Sequence, residues 1–229
     1  MNAYYFSILQ GSLMTVAVSL ASLVLAAVFG LLGAAARLST NRLAVAAGTV
    51  YTTVIRGIPD LVLMLLVFYG GTMGLNYLVA AVGSKSSVDI NPFVAGVMTL
   101  GFIYGAYMTE TFRGAILAIP PGQSEAALAF GMGRTQTFLR IIAPQMVRYA
   151  LPGFTNNWLV LIKSTALVSL IGLQEMTYLS KQASAATRSP FAFFLFTAAL
   201  FLVFTSASLW VLRKANDHYS LGTRRAQLH

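Results

Sequence analysis

The sequence predicts an all-α, polytopic membrane protein with five transmembrane helices in a single domain, residues 1–229. Apolar residues make up 57% of the chain, charged residues only 9%, and the mean hydropathy is +0.74. A soluble domain carries roughly a quarter charged residues, so most of this surface is not built to face water. Charged side chains are absent from four long runs and occur once in a fifth; the runs are residues 1–36, 61–84, 90–109, 189–212 and 149–174. Each run can supply the roughly 20 apolar residues that a spanning helix needs.

The first span also indicates the orientation of the chain. No positively charged segment precedes its apolar residues, so we expect an uncleaved helix with its N-terminus outside. The inside segments 37–60, 110–148 and 213–229 then hold eleven Lys and Arg residues, whereas the outside segments hold three. This bias follows the positive-inside rule and predicts a cytosolic C-terminus. Because the basic residues are spread over three loops, we expect the lipid bilayer, and no nucleic acid, as the partner of these charges.

A short apolar segment separates the first two spans. Residues 43–55 are too few to cross a membrane, so we expect a helix that is buried in protein or lies at the interface. Pro59 and Asp60 then begin the second span. Proline lacks an N–H that a first helical turn does not use, and the Asp60 carboxylate meets the positive end of the helix dipole. A cap is therefore the favoured role of Asp60, and a functional role stays open.

Small residues recur at four-residue spacing in the second and third spans. The pairs are Gly70/Gly74 and Gly101/Gly105. Such pairs allow the backbones of neighbouring membrane helices to approach closely. We therefore expect both pairs to lie at helix–helix contacts.

Two acidic residues lie near the ends of spans. Glu110 follows Tyr104 and Tyr107 at three-residue steps and precedes Arg113 by three residues. Residues three apart are neighbours on a helix, so two interpretations stay open. One is a Glu110–Arg113 ion pair at the cytosolic membrane edge, and the other is a cation site flanked by the tyrosine rings. Glu175, at the outer end of the fourth span, is expected to be solvated.

Residues 120–145 form a charged loop between the third and fourth spans, which we call the 120–145 loop. Ser124 is expected to cap a short helix with Glu125 in its first turn, and Gly131 and Gly133 are expected to break that helix. A second short helix follows and is predicted to end at Pro144. Two short helices at an angle form a compact projection that suits a groove on a partner protein. A plain connection without a partner is the alternative.

The fourth span carries an unusual number of polar residues. Asn156 and Lys163 are seven residues apart, as are Asn157 and Ser164, and Thr165 borders them. A seven-residue spacing returns to the same side of a helix. A lysine in the middle of a bilayer costs about 2.5–3.5 kcal/mol on the insertion scale, so we interpret this side as the lining of a pathway, with Lys163 suited to a substrate carboxylate. Hydrogen bonding between helices is the alternative.

The sequence lacks the motifs of zinc metalloproteases, serine hydrolases and P-loop NTPases. There is no cysteine and therefore no thiol nucleophile or thiolate metal site. No H-E-x-x-H, G-x-S-x-G or G-x-x-x-x-G-K-[ST] pattern occurs. We therefore expect a chain that is not an enzyme and that has no catalytic, metal or cofactor site of its own.

A spaced pattern in the 120–145 loop comprises Glu125, Ala126, Ala127, Gly131, Ile141 and Pro144. It resembles the EAA signature of the permease subunits of binding-protein-dependent ABC importers. The signature has Leu where this chain has Ala143. Three further stretches resemble polar amino acid permeases, above all the Q-type subunits of histidine/lysine/arginine/ornithine importers and of opine importers: RGIPDLVLMLLVFYG, TLGFIYGAYMTETFRGAI and RYALPGFTNNWLVLIKSTALVSLIGL.

The resemblance implies a subunit of an ATP-driven amino acid importer in the bacterial inner membrane. Such a chain forms half of a translocation pathway with a second permease subunit, often a non-identical relative. Two cytosolic ATPase subunits, which bind ATP and Mg²⁺, dock on the six signature residues, and a periplasmic binding protein delivers a polar amino acid, here most closely a basic one or an opine. The candidate pathway residues are Glu110, Asn156, Asn157, Lys163, Ser164 and Thr165. A self-sufficient secondary transporter or channel for small polar solutes is the alternative, but it leaves the EAA spacing unexplained.

Overall fold

The computed structural model describes residues 2–82 and 89–219, and within these ranges the chain folds into helices and turns without a strand. Five helical stretches are long and apolar enough to cross a membrane: Asn2–Arg37, Asp60–Ala81, Pro92–Leu117, Arg134–Ile171 and Pro190–Asp217. The predicted all-α class with five spans is therefore confirmed. The orientation stays a prediction, and three of the basic residues that enter it, Lys85, Arg224 and Arg225, lie outside the described residues.

The helices of the described chain follow one another with short connections. They are α1 (Asn2–Arg37), α2 (Arg42–Gly57), α3 (Asp60–Leu65), α4 (Gly71–Ala81), α5 (Pro92–Leu117), α6 (Pro121–Ala129), α7 (Arg134–Thr137), α8 (Ala143–Ser164), α9 (Met176–Thr187) and α10 (Pro190–Tyr219). A π-helical turn, Leu66–Gly70, joins α3 to α4, and a second, Phe138–Ile142, joins α7 to α8. A 3₁₀ segment, Thr165–Ile171, extends α8. These irregular turns leave the second and fourth spans continuous.

The pair α1 and α5 forms the centre of the core. A Cβ atom added to Gly101 or to Gly105 would lie 2.6 Å from a side-chain atom of α1. The expected packing role of this glycine pair is therefore confirmed. The expectation for Gly70 and Gly74 is wrong within this chain, because a Cβ atom on either one would meet open space in the described structure. Both belong to the second span, which is mostly exposed.

Overfilling the α1–α5 contact should destabilise the chain. We expect Gly101→Leu to lower the free energy of unfolding by about 1–3 kcal/mol, because the larger side chain must displace packed atoms. Gly114→Leu is the matched control, since this glycine lies on the same helix with nothing within 4 Å of its Cβ position. Thermal melting of the purified chain measures both. Equal melting temperatures for the two variants would contradict the assigned packing.

The apolar segment after α1 forms α2, which returns along α1 into the bundle. Its small and polar residues Gly48 and Thr52 are buried at four-residue spacing, so one face of α2 can lie close to its neighbours. The Tyr51 hydroxyl donates to the carbonyl oxygen of Phe102 in α5 at 2.6 Å. The expectation of a short buried or interfacial helix therefore fits. The C-terminal part of the predicted inside segment, however, packs on the bundle and is not a loop.

A break separates α2 from α3 inside the bundle. Ile58 and Pro59 have extended backbones, with ψ of 136° and 135°. Proline disfavours a helical conformation of the residue before it and lacks the N–H that would continue α2. Asp60 is therefore the first residue of α3 and lies in its first turn, as predicted. The two halves of this broken element meet beside the middle of α5.

Glu175 directly precedes α9, a helix that was not predicted, and the expectation that Glu175 is solvated is wrong. The residue is 1% exposed. Its carboxylate accepts hydrogen bonds from the Tyr178 backbone N–H at 2.8 Å and from the Thr15 hydroxyl at 3.1 Å. Burial raises the pKa of the Glu175 carboxyl above its usual range, and these hydrogen bonds act in the opposite direction. The carboxylate thus caps α9 and ties it to α1.

Candidate functional site

The 120–145 loop begins with α6, and its start differs from the prediction. The helix begins at Pro121, with Pro120 as the preceding residue. Proline suits the first helical position, because its N–H would have no partner there. Ser124 therefore lies inside α6 and does not cap it, and Glu125 lies in the second turn.

Gly131 ends α6 in a left-handed conformation with φ +78°. Its N–H donates to the Leu128 carbonyl at 2.9 Å, and the Met132 N–H donates to the Ala127 carbonyl at 3.1 Å. This pair of bonds is the Schellman motif, which satisfies the last carbonyls of a helix and favours glycine at this position. The predicted break at Gly131 is confirmed.

The second arm of the loop does not end at Pro144, so that expectation is wrong. From Arg134 the chain stays helical through the π turn into α8 and on to Ile171. Just before the proline, the Ala143 N–H donates to the carbonyl of Phe138, five residues back. The wider turn accommodates a proline ring and a missing N–H that a regular helix interior would not tolerate.

The six signature residues divide between packed and exposed positions. Ala127 is buried and Ile141 is half-buried, whereas Glu125, Ala126, Gly131 and Pro144 are exposed. Large apolar side chains stand beside them: Phe130 is 89% exposed and Leu128 is 51% exposed. Exposed apolar side chains on a compact projection are typical of a surface that another protein covers.

A second group of polar side chains lies at the middle of the bundle, where α3, α5 and α8 meet. Tyr104, near the centre of α5, is 2% exposed. Its hydroxyl donates to Oδ2 of Asp60 at 3.1 Å and lies 2.6 Å from Oγ of Ser164. Because the phenol has one proton, which goes to the carboxylate, the Ser164 hydroxyl donates to Tyr104. We call these three residues the Tyr104 cluster.

The predicted polar side of the fourth span separates into two directions. Asn156 and Lys163 are exposed on α8. Asn157 turns inward, and its amide donates to the Thr111 hydroxyl at 3.0 Å. Ser164 joins the Tyr104 cluster. Thr165 is fully buried, and its hydroxyl donates to the carbonyl of Ile162 at 2.7 Å. The structure thus places Asn157 and Ser164 in hydrogen bonds with α5, and Lys163 at an exposed position of α8.

Glu110 is held by two arginines. It lies 3.0 Å from Nε and Nη2 of Arg113 and 3.6 Å from Nη2 of Arg37. Arg37 also donates to the hydroxyl of Thr52 on α2 at 3.2 Å. The ion pair predicted between Glu110 and Arg113 is therefore present in the structure. The two guanidinium groups reduce the attraction of this carboxylate for a further cation.

A cleft of about 530 Å³ opens beside this ion pair, between α1, α2 and α5; its lining includes Arg37, Thr52, Arg56, Tyr107 and Glu110. The Arg56 guanidinium lies over the Tyr107 ring, with Cζ 5.2 Å from its centroid. The Tyr107 and Tyr104 rings stack, with centroids 5.7 Å apart. The cleft therefore connects through two stacked rings to the Tyr104 cluster.

Sequence reasoning had assigned neither Asp60 nor Arg56 to this site. Asp60 directly follows a proline between two helical segments, and Arg56 ends the first of those segments. A discontinuous helix beside a membrane span is a known sign of a binding site. That sign depends on α2 entering the bundle, which was only one of the two positions that its short apolar run left open.

Comparisons with known proteins agree with one another. The family model of binding-protein-dependent transport system inner membrane components matches residues 26–215. The histidine/lysine/arginine/ornithine transport system permease protein HisQ of Escherichia coli (strain K12) is 52% identical over 227 residues, covering 98% of this chain and 99% of that protein. The octopine transport system permease protein OccQ of Rhizobium radiobacter is 40% identical over 224 residues, covering 98% and 94%.

A solved structure has the same fold. It is described as an amino acid ABC transporter with histidines, and it matches with a TM-score of 0.80 and 28% sequence identity. The match covers 95% of this chain and 96% of that one.

Proposed function

This chain belongs to the family of binding-protein-dependent transport system inner membrane components, and we propose that it forms half of the translocation pathway of an ATP-driven importer for basic amino acids or opines. The observation that carries this proposal is its 52% identity, along nearly the whole of both chains, to a histidine/lysine/arginine/ornithine permease. The octopine permease supports a related substrate class. Octopine and the basic amino acids share a cationic side chain and an α-carboxylate.

The Tyr104 cluster fits a cationic substrate. Asp60 is half-buried and has no lysine or arginine within ion-pair distance among the described residues. Charged groups within membrane spans are costly, and they are retained mainly where they serve a pathway or a partner. The Asp60 carboxylate would therefore attract the cationic group of the amino acid at the break between α2 and α3.

A second permease subunit would cover the exposed polar side of α8. Lys163 and Asn156 are exposed in the described chain, and the second span is also mostly exposed. In contact with lipid these side chains would be unsatisfied, which costs several kcal/mol for a charged group. Opposite a second permease, or along a shared pathway, both residues would have polar neighbours or water. Lys163 would then lie beside the pathway.

The 120–145 loop would bind a cytosolic ATPase subunit, as the EAA resemblance implies. Its exposed apolar residues offer a surface for a groove on that partner. ATP and Mg²⁺ would be bound by two ATPase subunits and not by this chain. A periplasmic binding protein would deliver substrate at the opposite end of the bundle, with the chain in the bacterial inner membrane and its C-terminus in the cytosol.

Uptake by the whole assembly tests the proposed function. The chain is reconstituted into liposomes with its second permease and ATPase subunits, and the binding protein is added outside. We expect ATP-dependent uptake of at least one of histidine, lysine, arginine, ornithine or octopine, with glutamine as a neutral control. Uptake that needs neither ATP nor the partners would support the self-sufficient transporter instead. No uptake of any of these cationic substrates would contradict the proposed class.

A further inference from the structure

We propose that Arg56 binds the α-carboxylate of the transported amino acid, and this rests on the proposed function of the Tyr104 cluster. Arg56 is exposed at the C-terminal end of α2 and lines the cleft between α1, α2 and α5. Among the residues that the structure describes, no carboxylate lies within ion-pair distance of its guanidinium. A planar guanidinium has five donors and matches a carboxylate with two parallel hydrogen bonds.

The other charged residues that line the cleft, Arg37 and Glu110, already contact each other. Glu110 is the acidic residue of the cleft lining, and it is occupied by Arg113 at 3.0 Å and Arg37 at 3.6 Å. Two arginines on one carboxylate leave that group with an excess of positive charge before Arg56 is counted. The cleft therefore favours an anionic group, and Arg56 is the cation available to hold it.

Two tyrosine side chains link Arg56 to Asp60. Arg56 lies on the Tyr107 ring, Tyr107 stacks on Tyr104, and Tyr104 donates to Asp60. A carboxylate that attracts a cation and a guanidinium that attracts an anion thus lie at opposite ends of one pair of stacked rings. A basic amino acid carries both complementary charges. It could therefore bind with its cationic side chain toward Asp60 and its α-carboxylate toward Arg56.

Lys163 is the competing residue for the substrate carboxylate. Its side chain is exposed on α8. The neighbouring residue, Ser164, reaches the Tyr104 cluster, but Lys163 has no described contact with that cluster or with the cleft. Geometry within this chain therefore favours Arg56, and the experiment compares the two residues directly.

The test compares a ligand with and without its carboxylate. Arginine and agmatine share the guanidinium, but agmatine lacks the carboxylate. Equilibrium binding of each labelled ligand is measured on the purified complex of both permeases and the ATPases, without the binding protein. We expect the wild-type complex to bind agmatine about ten-fold or more weakly than arginine, as the loss of a charged hydrogen-bond pair implies. Arg56→Gln should weaken arginine binding to the level of agmatine and leave agmatine binding unchanged.

Two control variants make the result specific. Lys181→Gln removes an exposed positive charge on α9, outside the cleft, and should keep the preference for arginine, whereas Lys163→Gln tests the competing residue directly. Arg56→Lys keeps the charge without the planar fork and should restore part of that preference. Since the partner permease is the same in every sample, the differences report on this chain.

Several outcomes would overturn the inference. They are equal binding of the two ligands by the wild type, loss of the preference in Lys163→Gln but not in Arg56→Gln, and loss of both ligands in Arg56→Gln without recovery in Arg56→Lys. Each of these leaves the proposed function intact when the same assembly takes up arginine. Absence of uptake and of binding for both ligands would instead mean that the proposed function itself is wrong.

Discussion

Replacing Asp60 by Asn is expected to reduce the initial rate of uptake of a basic amino acid about ten-fold or more. The amide keeps the shape of the side chain but removes the negative charge, and a hydrogen bond to a charged partner contributes about 1.5–3 kcal/mol. The Tyr104 hydroxyl can still donate to the amide oxygen, so the Tyr104 cluster should stay assembled. The measurement is uptake of labelled lysine into proteoliposomes that contain the whole assembly.

Asp89→Asn is the matched control, because Asp89 is exposed just before α5 and far along that helix from Tyr104. It removes the same charge and should leave uptake near the wild-type rate. Asp60→Glu, which restores the charge on a longer side chain, should recover part of the lost activity. Full lysine uptake by Asp60→Asn would exclude the carboxylate from substrate binding.

Replacing Gly131 by Arg is expected to prevent copurification of the ATPase with the permeases and to abolish uptake. Two effects combine at this position. The backbone φ of +78° costs a non-glycine residue about 1–2 kcal/mol. The new side chain also projects from an exposed turn beside Phe130, on the surface assigned to the ATPase.

Two variants separate backbone strain from the added bulk. Gly131→Ala brings the same φ, and its Cβ meets open space in the described structure, so the complex should be retained with a modest loss of stability. Gly122→Arg adds the large side chain near the opposite end of α6, again with nothing within 4 Å of the Cβ position. It should also retain the ATPase. If Gly131→Arg copurified with the ATPase and supported normal uptake, the 120–145 loop would not be the docking surface.

The number of spans and the glycine break in the 120–145 loop could be predicted because each depends on local chemistry. Long runs without charge require a bilayer, and a Schellman turn requires a residue that tolerates positive φ. The role of Pro144 could not be predicted in this way. Proline normally ends a helix, and the π turn at Phe138–Ile142 that accommodates it has no clear mark in the sequence.

The polar residues of α8 illustrate what spacing cannot decide. Residues seven apart share a side of a helix, so Asn156 pairs with Lys163 and Asn157 with Ser164. Adjacent residues, however, differ by about 100° around the helix axis. The two pairs therefore face different neighbours, and only the packing of α5 determines that Asn157 and Ser164 turn inward. The prediction that Glu175 is solvated was wrong for the same reason, because its burial depends on Thr15 of α1, far away in sequence.

The helix that leaves the 120–145 loop at Arg134 does not stop before Ile171. At about 1.5 Å per residue, its 38 residues extend about 57 Å. The π turn lies near one end, with the short α7 on one side and the long α8 on the other. If this rod turns as one body about that point, it acts as a lever with unequal arms. A small displacement of α7 would then move the far end of α8, where Lys163 and Ser164 lie, through a larger distance than α7 itself.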